Sequence, residues 1–130
     1  MRKLIIFAIF ICCVAAAGCS KDAEVNSFLT QFESVTKEMT QKLQAGDVEG
    51  AKKVFADNKV SLQAGFDSIK NAREMQVSAD VKEKLESTVT ENIKELSSSA
   101  TSAVIKTGGD KSKADEIQAL LKDFVGIFQM

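Results

Sequence analysis

Between residues 22 and 45 the chain has an apolar residue at every third or fourth position. This spacing places them on one face of a helix, which the pattern predicts near residues 22–45. Gly46 ends the pattern, and Asp47 is suited to begin another helix because its carboxylate can accept from free backbone N–H groups. The predicted buried stripe consists of Val25, Phe28, Leu29, Phe32, Val35, Met39 and Leu43.

Three further segments repeat this periodicity, near residues 47–73, 78–107 and 110–129. The second is the least regular, because Asn58 falls on its apolar face and Val60 falls off it. No segment alternates with the period of two that a strand requires. Four amphipathic helices with short joints predict an all-α fold, a small antiparallel helical bundle. The inward residues are Ala51, Val54, Phe55, Leu62, Phe66 and Ile69, then Val81, Leu85, Val89, Ile93, Leu96, Ala100 and Val104, then Ile117, Leu120, Leu121, Phe124 and Phe128.

The starts of the later helices have candidate caps. Ser78 is suited to cap the third helix, and either Asp110 or Ser112 can cap the fourth. Ser112 and Asp115 have the spacing of a capping box, although Asp is shorter than the usual Glu. The Ser-rich run 97–102 is expected to remain helical, with a break in the third helix as the alternative, because Ser competes for backbone hydrogen bonds.

The first residues have the order of a secretory signal peptide. Arg2 and Lys3 precede an uncharged apolar run from Leu4 to Ala17, and small residues end it. As a helix, this run spans only about 21 Å, less than the hydrocarbon core of about 30 Å. We therefore expect residues 1–18 to be removed and residues 19–130 to form the mature domain.

The residues Ala16-Ala17-Gly18-Cys19 resemble the lipobox of bacterial lipoprotein precursors, although the family most often has Leu at the place of Ala16. The resemblance covers about 20 residues. It implies cleavage between Gly18 and Cys19, a diacylglyceryl group on the Cys19 thiol, and acylation of the new amine. Two acyl chains hold a protein stably at a membrane, whereas one binds reversibly. Ser20 stands where an Asp favours inner-membrane retention in enterobacterial lipoproteins. The outer membrane, on its periplasmic side, is therefore expected if the cell is Gram-negative.

Composition narrows the function. The chain has no His, so Ser-His, Cys-His and His-metal chemistry are excluded, and no residue is predicted to be catalytic, cofactor-binding or metal-ligating. Removing Arg2 and Lys3 leaves 15 basic against 18 acidic residues, a net charge of −3 with the signs interspersed. This distribution lacks the basic footprint of a nucleic-acid-binding protein.

The joint at residues 108–112 has the sequence of neither a phosphate-binding loop nor a calcium-binding loop. Asp110 interrupts the order that a phosphate loop needs, and a calcium loop beginning at Asp110 would have Asp115 where Gly is required. The joint is therefore expected to be a helix end followed by a helix cap.

These observations predict a non-enzymatic lipoprotein of the cell envelope, anchored through Cys19, that binds another envelope protein through a helix face. The alternative is a carrier that holds a small apolar ligand in the bundle core. Met39, Met75, Met130 and the phenylalanines could line such a pocket, although residues at helical spacing are more often core.

Overall fold

A computed structural model describes residues 20–70 and 77–128 of the chain. Within these ranges the chain forms four α-helices and no strand. They are α1 (Asp22–Gln44), α2 (Val48–Ile69), α3 (Ala79–Lys106) and α4 (Lys111–Gly126). The predicted all-α helical bundle is confirmed.

Local capping explains where α1 ends and where α2 and α3 begin. Gly46 has a φ of 78°, a conformation that strains residues with a side chain, and the chain turns there. The Asp47 carboxylate accepts from the backbone N–H of Gly50 at 2.8 Å. The Ser78 hydroxyl accepts from the backbone N–H of Val81 at 3.4 Å. Both predicted caps are confirmed.

The start of α4 decides between the two candidate caps. Asp110 Oδ1 accepts from the backbone N–H groups of Ser112 at 2.9 Å and Lys113 at 3.4 Å. Ser112 lies inside the helix, so the predicted capping box with Asp115 is wrong. The longer Asp side chain, one residue before the first helical position, satisfies two free donors at once.

Two helix ends differ from the sequence prediction. α2 ends at Ile69, and its predicted continuation over residues 71–73 lies outside the described residues. α4 ends at Gly126, three residues before its predicted limit. The Ser-rich run 97–102 stays within α3, as expected, and its buried members are Ser99 and Ala100.

Consecutive helices run antiparallel, but the neighbours in space are not all antiparallel. α1 packs most extensively against α3 and α2, and α4 packs against both α2 and α3. At the starts of α1 and α3, the Ser78 backbone N–H donates to Asp22 Oδ1 at 2.8 Å. Towards their ends, the Gln44 amide donates to the Ser99 hydroxyl at 3.3 Å. α1 and α3 are therefore parallel and in direct contact.

The core is built around one aromatic cluster. It contains all six phenylalanines that follow residue 18, and their neighbouring ring centroids lie 5.2 to 6.2 Å apart. Such tilted and edge-on pairs stabilise a core beyond the area they bury. The cluster joins α1, α2 and the end of α4, and consists of Phe28, Phe32, Phe55, Phe66, Phe124 and Phe128.

Burial confirms most of the predicted stripes. Scattered predicted residues are only half-buried: Phe66, Val104, Leu121 and Phe128. All seven stripe residues of α1 are buried, and Val60 of α2 is 82% exposed, as its position off the stripe predicts. Asn58 is tolerated beside the core because its amide donates to the Val54 carbonyl at 2.8 Å. In α3, however, the first four stripe residues are only half-buried: Val81, Leu85, Val89 and Ile93.

In the sequence, an acid stands four residues before a Lys at four places, a spacing that predicts ion pairs on a helix surface: Glu33/Lys37, Glu38/Lys42, Glu49/Lys53 and Asp80/Lys84. The structure forms these pairs only in part. Glu33 and Lys37 pair at 2.8 Å, as predicted. Lys42, predicted to pair with Glu38, instead lies 3.6 Å from Asp47. Glu49 pairs with Lys52 rather than with Lys53. Lys84, predicted to pair with Asp80, donates instead to Asn26.

Candidate functional site

The half-buried part of α3 forms one wall of an apolar groove. α3 has 28 residues and α4 has 16, so α4 is about 18 Å shorter at 1.5 Å per residue. Because α4 runs antiparallel from the end of α3, it stops before reaching the first turns of α3. The N-terminal half of α3 is therefore covered on one side by α1 but not by α4.

The groove has a volume of about 840 Å³, within the range typical of ligand sites. Its walls come from the start of α1, the end of α2, the first half of α3 and the end of α4. Phe28, Phe66 and Phe128 form its aromatic part, with Phe66 and Phe128 only half-buried. The aliphatic part consists of Val25, Ile69, Val77, Leu85, Val89, Ile93 and Val125.

Close packing of α1 against α2 shapes the aromatic part of the groove. Gly65 of α2 lies beside the Phe28 ring, and a Cβ added at Gly65 would come within 3.1 Å of Phe28 Cδ2. The missing side chain at residue 65 therefore gives the ring room. The Phe28 ring in turn lies 6.2 Å from the rings of both Phe66 and Phe128.

Polar groups of mixed charge border the groove. Lys82, Glu86 and Thr90 lie along α3, and Lys70 follows the end of α2. Lys70 pairs with Asp67 at 3.0 Å, and the hydrogen bond from Lys70 lowers the pKa of the Asp67 carboxyl. An apolar floor with a polar border suits a ligand that is mainly hydrocarbon, because the long Lys side chains can cover apolar surface while their ammonium groups stay in water.

The predicted lipid-attachment residue Cys19 and the predicted cleavage site between Gly18 and Cys19 lie outside the described residues. So do Met75 and Met130, two of the candidate pocket residues. Met39 is buried in the core, as are Phe32, Phe55 and Phe124. Among the described candidates, Phe28, Phe66 and Phe128 line the groove, and the core interpretation holds for Met39, Phe32, Phe55 and Phe124.

The joint between α3 and α4 is a turn, as expected. Gly108 and Gly109 have φ of 68° and 79°, and the Asp110 carboxylate accepts from backbone N–H groups of α4. In residues 20–70 and 77–128, no group of three or more Asp, Glu, His or Cys side chains is arranged to hold a metal ion.

Comparison with known proteins gives no match, whether to a protein-family model, to a curated protein or to a solved structure. The helices in the described part of the chain include none that is both long and apolar enough to cross a membrane. The function therefore has to be inferred from the groove and from the N-terminal motif.

The groove was not predicted from the sequence, although one signal for it was present. Periodicity assigns Val81, Leu85, Val89 and Ile93 to a buried face without saying what covers that face. The predicted helix lengths already differed, since the third segment was expected to be about ten residues longer than the fourth. In a bundle with short joints, such a difference leaves part of the longer helix without a neighbour.

Proposed function

We propose that this chain is a membrane-anchored bacterial lipoprotein whose helical domain is a non-enzymatic binding module, with the groove as its binding surface. The observation that carries the proposal is the apolar face of α3 between the ends of α2 and α4, which residues 20–70 and 77–128 leave uncovered. Binding an apolar partner at a concave site is favourable when it removes half-buried aliphatic and aromatic side chains from water.

The anchor rests on the lipobox resemblance at Cys19. Intact mass measurement of the mature protein tests it directly. A mature N-terminus at Cys19 that carries acyl groups is the expected result. Cys19→Ser should leave the precursor unprocessed or the domain unattached to the membrane. Unmodified Cys19 in wild-type cells would overturn the anchor.

The first candidate for the bound species is an envelope protein that presents an apolar helix face. In its favour, Leu85, Val89 and Ile93 lie at successive steps of four, which is the spacing that a docked helix would meet. A photo-crosslinking amino acid placed at Val89 in intact cells should then give a discrete protein adduct. The same amino acid at Val60, which is 82% exposed on α2, is the matched control and should give none.

The second candidate is a small apolar ligand, as in a carrier. The groove volume of about 840 Å³ and the three aromatic rings beside it favour this candidate. Native mass spectrometry of protein purified without detergent should then retain a defined lipid or other apolar molecule. Recovery of ligand-free protein, together with a protein adduct at Val89, would favour the first candidate instead.

A further inference from the structure

The groove lies at the end of the bundle where the chain leaves α1 towards Cys19. Val25 and Phe28, its residues on α1, belong to the first two turns of that helix. The other walls come from the end of α2, the first half of α3 and the end of α4, so all four helices contribute residues at this same end. The anchor site and the groove are therefore close together along the chain.

The distance between them has an upper limit set by covalent geometry. α1 begins at Asp22, so only Ser20 and Lys21 lie between Cys19 and the first helical residue, and the three steps from Cys19 to Asp22 span at most about 11 Å. Val25 follows three residues later, about 4.5 Å along the helix. The groove residue Val25 is therefore within about 15 Å of Cys19. Two intervening residues are too few for a long linker, and Ser20 Oγ accepts from the Asp22 backbone N–H at 3.3 Å.

The α3 wall of the groove also matches an acyl chain in length. From Lys82 to Ile93 the lining residues follow one helix face over eleven steps, about 16 Å. An acyl chain in one leaflet spans half of a hydrocarbon core of about 30 Å, which is about 15 Å. At the border of this wall Lys82 is half-buried and Glu86 is exposed, while the floor is apolar.

We propose that the groove holds one acyl chain attached to this protein's own Cys19. The inference rests on the proposed lipid anchor and names the ligand class of the proposed binding surface as a fatty acyl chain. Attachment through a few residues keeps that chain at a high effective concentration beside the groove, which a free lipid lacks. The diacylglyceryl group and the acylated amine together carry three acyl chains, and two suffice for stable anchoring, so the third is available for the groove.

The test uses the full-length precursor expressed in bacteria that are fed a fatty acid carrying a photoactivatable diazirine. Intact mass first establishes whether Cys19 of the mature protein carries the labelled chain. Membranes are then irradiated, and peptide mass spectrometry locates the residues joined to the Cys19 acyl group. We expect adducts within one polypeptide at the groove residues, above all Leu85, Val89 and Ile93.

Two variants with the same substitution complete the test. Val89→Glu places a carboxylate in the groove and should reduce the groove adducts about tenfold. Val60→Glu adds the same charge at an exposed position and should leave them unchanged. Circular dichroism shows whether each variant keeps the helical content of the wild type. If Val89→Glu unfolds, the map of adducts in the wild type still decides the question.

The possible results separate this inference from the proposed function. Unacylated Cys19 would overturn both the proposed anchor and the proposal that a Cys19 acyl chain occupies the groove. Acylated Cys19 with adducts only to phospholipid, or to a second protein, would overturn the proposal that its acyl chain occupies the groove. The proposed anchored binding module would then still stand. Acylated Cys19 with adducts spread evenly over the surface of the domain would also overturn the proposal that its acyl chain occupies the groove.

Discussion

The Thr36 hydroxyl oxygen in α1 lies 2.8 Å from Asn92 Oδ1 in α3, and both side chains are buried. The single hydroxyl hydrogen is shared between this acceptor and the carbonyl oxygens of Phe32 and Glu33 in its own helix, at 2.9 and 3.1 Å. The Asn92 amide nitrogen donates in turn to the Thr88 carbonyl at 2.7 Å. A hydrogen bond between buried polar groups fixes the alignment of two helices more narrowly than aliphatic packing does, because any shift leaves a polar atom unpaired. This pair therefore specifies the register of the parallel helices α1 and α3.

Thr36→Val should destabilise the domain by about 1–3 kcal/mol, because Asn92 Oδ1 loses its buried donor. The double variant Thr36→Val with Asn92→Leu should recover most of that loss, since both polar partners are then replaced by apolar groups. Urea denaturation measures both free energies of unfolding. Thr30→Val, at an exposed position of the same helix, is the control and should change stability little. Additive losses in the double variant would contradict the proposed role of the pair.

Phe124→Ala should lower the free energy of unfolding by about 3–5 kcal/mol, because it removes a fully buried ring. The Phe124 ring lies 5.7 Å from both Phe32 and Phe55, so its loss opens a cavity between α1, α2 and α4. Thermal denaturation should show a lower midpoint. Ile105→Ala removes an aliphatic side chain that is 74% exposed and should stay within about 0.5 kcal/mol of the wild type.

Asp110→Ala should destabilise the domain by about 0.5–2 kcal/mol, because the first turn of α4 loses the carboxylate that accepts from two backbone N–H groups. Ser112→Ala should have little effect, since Ser112 lies inside the helix rather than at its cap. Denaturant titration of the two variants checks the difference. A larger loss for Ser112→Ala than for Asp110→Ala would support the capping box that the spacing predicts.

Part of the stability should depend on pH through Glu33. The hydrogen bond and the charge of Lys37 lower the pKa of the Glu33 carboxyl. Its contribution is therefore present above the unfolded pKa of about 4.3 and is lost as the pH falls through the lower folded value. The pair is exposed, so the effect is small.

Glu33→Gln should accordingly be less stable than the wild type at pH 7 and equal to it well below the folded pKa of Glu33. Urea denaturation at pH 7 and at low pH measures the two differences. Glu38→Gln is the matched control, because Lys42, its expected partner, pairs with Asp47 instead. A Glu33→Gln difference that persists unchanged at low pH would exclude the ion pair as its cause.

Most of the fold could be predicted from local patterns. Helix existence follows from apolar spacing, and the boundaries at Gly46, Asp47 and Ser78 follow from backbone conformation and side-chain capping, which depend on neighbouring residues alone. The choice of Asp110 over Ser112 could not be predicted, because both residue types cap helices and only the actual path of the turn places one carboxylate over two donors. The anchor at Cys19 likewise stays a prediction from a short motif.

The sequence by itself determined that this chain is helical, which face of α1 is buried and which chemistry is excluded by the lack of His. Only the tertiary structure decided that α1 and α3 lie side by side in parallel, since side-chain periodicity carries no information about which helices become neighbours. The groove likewise depends on which helices become neighbours and how far each one extends. Val89 has the periodicity of a core residue, yet it remains half-buried because α4 is too short to reach it.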